Sequence, residues 1–296
     1  MIESFRIAGV GSQRSGRRAG LSERKTINTG RNLPAAMAVG LFLGGLVLVS
    51  LLIVKVAFLV LVALLLGLAL WELSQAVATR QIRIPVIPIA VGGAAILALA
   101  YWRGPRDALA ALAVTFIALL AWRLPGGADG YLRDVTASVF VLIYLPTMGV
   151  FVALMLRQPG GAHRALLFVI LTVCSDVGGY FAGILTGRHP MAPSISPKKT
   201  WEGLAGSAVA CLTAGAIGLV LLLHGKVWAG LILGAGAVAA ATLGDLVESM
   251  IKRDLDTKDM STILPGHGGI LDRLDSLLIV APVSWLLMTI FLAPGH

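Results

Sequence analysis

The sequence predicts an all-α integral membrane protein, and three observations carry that reading. Of 296 residues, 57% are hydrophobic and only 13% charged, where a soluble domain carries about 25%. The apolar residues gather in nine runs, most of them near the roughly 20 residues a spanning helix needs. The charges collect in the segments between the runs.

Residues 1–33 precede the first run and hold seven Lys and Arg against Glu3 and Glu23. They read as a disordered cytoplasmic tail able to touch anionic lipid. No small-residue cleavage site followed by a polar chain marks a signal peptide. Runs at 35–53, 56–78, 84–102, 107–122 and 134–156 make an N-terminal region of five helices over 34–160. Runs at 164–187, 203–224, 227–251 and 270–293 make a C-terminal region of four helices over 161–296. Lys55 alone divides the first two runs, which leaves almost no loop, and the fourth run is short. Cys174 and Cys211 both sit inside apolar runs. They read as buried thiols, because two isolated cysteines make no disulfide framework. There is no strong internal repeat and no separate soluble domain.

Positive charge orients the bundle. With the N-terminus inside, the tail and inner loops hold seventeen Lys and Arg, and the outer segments hold six: Lys55, Arg103, Arg106, Arg157, Arg164 and Lys226. An internal N-terminus puts both long polar loops, 188–202 and 252–269, in the cytoplasm. The predicted location is the plasma membrane, multi-pass, with any active site on the cytoplasmic face.

The densest charge lies from Ser249 to Asp275. Two Lys, two Arg, five Asp, one His and three Gly share 27 residues there. Charge beside hydrocarbon costs several kcal/mol per group, so such a cluster needs a use. On a helix Asp245, Glu248, Ser249 and Lys252 share one face. Asp272 and Asp275 stand one turn apart at the start of the last run, with Ser276 beside them. Clustered carboxylates repel unless cations lie between them, and hard oxygen ligands suit Mg²⁺, which binds through one or two carboxylates plus substrate phosphates. Interhelical salt bridges, such as Asp272 to Arg253, are the plainer alternative. Between the two helices come Lys258, Asp259 and Pro265-Gly266-His267-Gly268-Gly269. Glycine lets a backbone approach a phosphate, and a helix N-terminus favours an anion. The plainer reading there is a turn that only needs glycine.

A second patch spans Ser175 to Gly203. Asp176 is an acid in the middle of an apolar run, where an unpaired carboxylate is costly. Gly179, Gly183 and Gly187 form a small-residue stripe that reads as close helix packing. Ser196-Pro197-Lys198-Lys199-Thr200 reads as a loop feeding a helix start, and its two lysines can neutralise a triphosphate.

The segment from Ser249 to Asp275 resembles the signature of the phosphatidate cytidylyltransferases, also called CDP-diacylglycerol synthases. The matching positions are Ser249, Lys252, Arg253, Lys258, Asp259, His267, Gly268, Gly269, Asp272, Arg273 and Asp275. The stretch from Ser175 to Gly203 is also similar to that family, notably Ser196 to Thr200 with Glu202 and Gly203. These motifs cover about the last 120 residues. Gly179 stands where many relatives have Ala, and the basic tail is not a general family feature.

The resemblance implies nine helices and a reaction in which phosphatidate attacks the α-phosphate of CTP, giving CDP-diacylglycerol and diphosphate. A phosphate monoester with a second pKa of about 6 is largely dianionic at neutral pH, so a strong general base is not required. The obstacle is bringing two polyanions together, which metal and Lys/Arg clamps overcome. The resemblance implies Asp245 and Asp272 as metal-binding acids, with Asp275 as a third ligand or supporting acid and Ser249 as an aid. Asp245, Asp272, Asp275, Lys252 and Arg253 are the expected catalytic residues. Lys198, Lys199, Ser196, Ser249, Lys258, His267, Gly268, Gly269, Arg273 and Asp176 are the expected substrate and phosphate contacts. The expected cofactor is Mg²⁺ in a two-metal site whose second ion is divalent or monovalent. CTP, phosphatidate, membrane lipids and a second copy of the chain are the expected partners, with no nucleic acid. The alternatives are CTP-dependent activation of another lipid phosphate or a polyprenol and, in a different class, an ion-coupled transporter with Asp176, Asp245 and Asp272 as a cation path. Against the transporter, the charges lie at one face and no paired broken helices point to a midplane site.

Overall fold

The fold was obtained as a computed structural model, which describes residues 44–257, 260–261 and 269–292. The basic tail, 1–33, and the first half of the first apolar run lie outside the described residues. So do Lys258, Asp259, His267 and Gly268.

The described chain is helical apart from one small hairpin. The helices are α1 (Gly44–Ile53), α2 (Lys55–Ala78), α3 (Val86–Trp102), α4 (Pro105–Arg123), α5 (Tyr131–Leu142), α6 (Met148–Arg157), α7 (Gly161–Thr186), α8 (Trp201–Leu223), α9 (Val227–Asp254) and α10 (Leu271–Phe291). Strands β1 (Pro190–Ala192) and β2 (Ser196–Thr200) pair antiparallel between α7 and α8. The expectation of an all-α membrane protein holds. Among the described residues seven segments are long and apolar enough to cross a membrane, and Gly44–Ile53 and Val86–Trp102 are shorter.

Three details differ from the expected spans. The fourth is not short: α4 runs on through a 3-10 turn, so the segment covers Pro105–Gly126. Pro105 sits in its first turn, where the missing N–H costs nothing. The fifth is one segment, Tyr131–Arg157, interrupted by a π-helical turn at Ile143–Thr147 that contains Pro146. Proline cannot donate in the helix ladder, and the extra residue of a π-turn accommodates it. Ser196–Thr200 is not a loop but strand β2, and Thr200 caps α8 by accepting from the Gly203 N–H at 3.1 Å.

Contacts sort the connections to two ends of the bundle. At one end Arg157 donates to Tyr101 O, Gln158 to Thr289, and Arg164 to Met288 O, while Trp228 packs edge-on to Phe291. At the other, Arg80 donates to Asp254 O at 2.7 Å, Arg253 to Ile195 O at 2.6 Å, and Arg123, Arg133 and the Arg83 N–H converge on the buried Asp134. The connections at 79–85, 124–130 and 187–200 and the described residues just after α9 therefore meet at one end, and the described candidate residues with them.

Small residues set how closely the last helices approach. A Cβ on Gly206 of α8 would lie 2.2 Å from the Ala182 Cβ and 2.6 Å from Gly178 O of α7. Of the expected stripe, Gly179 packs on α8 as well, where a Cβ would lie 2.6 Å from the Ser207 Oγ, and Gly187, just past α7, faces the Thr200 cap, where a Cβ would lie 3.0 Å from Oγ1. This packing carries the start of α8 to the face of α7 that bears Asp176. Dispersion at close range, rather than the hydrophobic effect, drives such contacts in lipid. Gly206→Val should force the two helices apart and cost about 1–3 kcal/mol. A lowered thermal midpoint in detergent would show it, and an unchanged midpoint would contradict the packing.

Candidate active site

Two carboxylate nodes form where the last helices reach the connecting loops. The first is Asp245, on α9. Lys199 donates to one of its oxygens from β2, and the Ser276 hydroxyl donates to the other from α10. One aspartate thereby joins three elements. Gly244 makes this possible: a Cβ there would lie 2.6 Å from Asp275 O and 3.0 Å from the Ser276 Cα. Only a glycine lets α10 come near enough for Ser276 to reach Asp245.

The second node is Asp272, in the first turn of α10. Lys252 Nζ lies 3.1 Å from Asp272 and 2.7 Å from Glu248, one turn back on its own helix. All three side chains are largely buried, at 8% exposure for Asp272, 4% for Glu248 and 18% for Lys252. Asp272 also accepts from the Gly269 N–H at 2.9 Å and the Met260 N–H at 3.4 Å. An acid in this position satisfies backbone donors that the helix leaves unpaired. Asp272 pairs with Lys252, not with Arg253, whose Nε instead donates to Ile195 O and fixes the β hairpin against the end of α9. Asp275, one turn from Asp272, accepts from the Ser276 N–H at 2.7 Å.

A cavity of about 250 Å³ opens beside the Asp245 node. Asp176, Tyr180, Lys198, Lys199, Thr242 and Asp245 line it, so α7, β2 and α9 all contribute. Asp176 is within electrostatic range of Asp245, Lys199 and Arg273. The cavity thus has two acids and two lysines on its wall, and Tyr180, Phe181, Ile184 and Leu185 on the adjoining part of α7 are exposed.

The structure brings together most of the residues that the sequence singled out. Asp176, Lys198, Lys199 and Asp245 share the cavity, and Lys252, Asp272 and Asp275 stand at the neighbouring node. Ser196 lies on β2 with the lysines. Ser249 is half-buried on α9, one turn beyond Asp245, with no hydrogen bond of its side chain among the described residues. Gly269 contributes its N–H to Asp272. Lys258, His267 and Gly268 fall outside the described residues.

Sequence reading missed Glu72, which lies 1% exposed in α2. It accepts from the Ser261 hydroxyl and from the N–H groups of Ile270 and Leu271, each at 2.8 Å. The signal was available: Glu72 is an acid inside an apolar run, as Asp176 is. Tyr144, in the π-turn, was missed as well. Its buried hydroxyl has no hydrogen-bond partner among the described residues, and it stands within electrostatic range of Asp275, Glu248 and Asp245.

A divalent ion can be tested against this donor set. Among the described residues no group of three or more His, Cys, Asp or Glu side chains has the geometry to hold a metal. The acids at both nodes are oxygen donors, and each node already holds a cation in the form of a lysine ammonium. This fits a hard ion that takes one or two carboxylates and draws its other ligands from water and substrate phosphates.

A model of the cytidylyltransferase family matches residues 34–291. The chain belongs to this family. Curated relatives extend over nearly its full length. A phosphatidate cytidylyltransferase of Mycobacterium leprae is 40% identical over 286 residues, 91% of this chain and 91% of that protein. One of Mycobacterium bovis is 39% identical over 279 residues, 90% and 91% of the two chains. One of Haemophilus influenzae is 41% identical over 127 residues, 41% of this chain and 44% of its own length.

Breaking the Lys252 node should be costly. Lys252→Met leaves Glu248 and Asp272 facing each other without a cation, a loss of about 3 kcal/mol for a buried pair. Adding Glu248→Gln should recover much of that stability. Thermal unfolding of the two variants in detergent checks this. Equal destabilisation of both would show that Lys252 does not hold the two acids together.

Proposed function

We propose that the chain is a phosphatidate cytidylyltransferase, converting CTP and phosphatidate into CDP-diacylglycerol and diphosphate. The observation that carries the reading is the pair of lysine-neutralised carboxylate nodes beside a cavity at one end of a membrane bundle. The reaction must join two polyanions, and this arrangement supplies both signs of charge. The names of the near-full-length relatives agree with it. They also leave the transporter reading without support.

In this reading Lys198 and Lys199 bind CTP phosphates from the cavity wall, and Lys252 and Arg253 hold charge at the end of α9. Asp245 and Asp272 would hold Mg²⁺, aided by Asp275 and Ser249, and a second ion, divalent or monovalent, would share the site. Bound Mg²⁺ would lower the repulsion between the substrates and withdraw charge from the transferring phosphate. The lysines offset the remaining charge as point charges on flexible stems. The phosphatidate phosphate needs no strong base, since its attacking oxygen is already ionised at neutral pH. Exposed apolar side chains on α7 border the cavity, which favours a lipid reaching it from the bilayer. Arg273, Lys258, His267 and Gly268 complete the phosphate contacts, whereas the expected contact at Gly269 is corrected, its N–H being taken by Asp272.

The same reading places the protein in the plasma membrane with nine spans, its N-terminus and its site in the cytoplasm, where CTP is found. The excess of basic residues on that side supports the orientation. A homodimer is the proposed assembly.

The decisive assay is diphosphate release by purified protein. It should require CTP, phosphatidate and Mg²⁺ together, and other lipid phosphates or polyprenols should compete poorly. Asp245→Asn or Asp272→Asn should lower turnover at least about 100-fold in folded protein. Wild-type rates in both variants would remove the metal assignment. No diphosphate release by well-folded wild-type protein would remove the reaction.

A further inference from the structure

Helix α2 and the turn after it are far from the charged motifs in sequence, yet together they touch residues just after α9 and just before α10. On the α9 side Arg80 donates to Asp254 O at 2.7 Å and pairs with the Asp256 carboxylate. Asp256 has a positive φ of 53°, a conformation that an aspartate adopts only at some cost, and the Arg80 contact helps to hold it. On the α10 side Glu72 accepts from the N–H groups of Ile270 and Leu271 at 2.8 Å each and from the Ser261 hydroxyl. The approach is close: a Cβ on Gly269 would lie 2.8 Å from the Glu72 carboxylate.

The donors at the start of α10 are divided between two acids. Gly269 N–H goes to Asp272, and Ile270 and Leu271 N–H go to Glu72. The three donors are consecutive, and Asp272 is the next residue. A buried carboxylate forms short, charge-assisted bonds there and complements the positive end of the helix. Losing it would orphan two buried N–H groups beside Asp272 and free the turn that orients it.

We infer that Glu72 is a positioning residue, and that with Arg80, just past the end of α2, it braces the described residues that follow α9 and precede α10 and so fixes the orientation of Asp272. The inference rests on the reading of Asp272 as a metal-holding acid. It gives the N-terminal helices a part in the site to which they contribute no cavity-lining residue. A displacement of about 1 Å at a reacting group can cost on the order of 100-fold in rate, so a remote hold of this kind acts on turnover.

The test uses the full chain in lipid nanodiscs, with Glu72→Gln and Arg80→Gln beside wild type. Mn²⁺ binding is followed by electron paramagnetic resonance without substrates, and kcat and the KM for CTP are measured separately. Glu72→Gln should weaken Mn²⁺ binding about tenfold and lower kcat about tenfold, the range for partners that orient a metal ligand. Arg80→Gln alters an exposed pair of small worth to stability, so it should fold normally and weaken Mn²⁺ binding about threefold. A purely structural role would lower the melting temperature and leave Mn²⁺ affinity and kcat of the folded protein alone. That result in Glu72→Gln overturns the inference. If Glu72→Gln does not fold, Arg80→Gln decides, and wild-type Mn²⁺ affinity and kcat there overturn it. A wild type that binds Mn²⁺ but releases no diphosphate would instead count against the proposed reaction.

Discussion

Carboxylates gathered at the end of a helical bundle repel one another, and the lysines between them resolve this. Lys252 stands between Glu248 and Asp272, and Lys199 reaches Asp245 from a different element. The rest of the site depends on these two ammonium groups. Through Lys199 the β hairpin is tied to α9, and through Lys252 the last two helices are tied together. In the proposed reading, a metal ion or a substrate phosphate would share the place that each lysine occupies beside its carboxylate. The arrangement would then couple stability without ligands to binding of ligands.

Close helix packing makes those contacts reachable. Gly206 lets α7 and α8 meet, which carries β2 and its lysines toward Asp176. Gly244 lets α10 approach α9, which brings Ser276 onto Asp245. A Cβ at either position would push the facing helix back by about 1 Å to reach ordinary contact. A shift of about 1 Å takes a hydrogen bond from its optimal length to beyond its useful range. The small residues and the charged residues are two parts of one construction.

Much of this was legible in the sequence because the signals were local. Asp245, Glu248 and Lys252 follow helical spacing on one face, and from the second run onward the apolar runs gave the helices within a few residues. The small-residue stripe on α7 was visible as a pattern. What stayed hidden depends on distant pairing. Nothing near Asp272 told that its cation is Lys252 and not Arg253, because both are adjacent and only the rotation of α9 chooses. Ser196–Thr200 looked like a loop because Pro197 and two lysines suit one, whereas its strand conformation comes from pairing with residues 190–192. Glu72 carried a readable signal, a lone acid in an apolar helix, but its partners lie almost 200 positions away.

The central claim is that Asp245 and Asp272, with their lysines, form the place where a metal ion and CTP meet. An anomalous difference map from crystals soaked with Mn²⁺ and CTP tests it most directly. The account predicts a Mn²⁺ peak in contact with carboxylate oxygens of Asp245 and Asp272, with the triphosphate against Lys198 and Lys199. A peak remote from both aspartates, or CTP bound with no metal at these acids under saturating Mn²⁺, would contradict it.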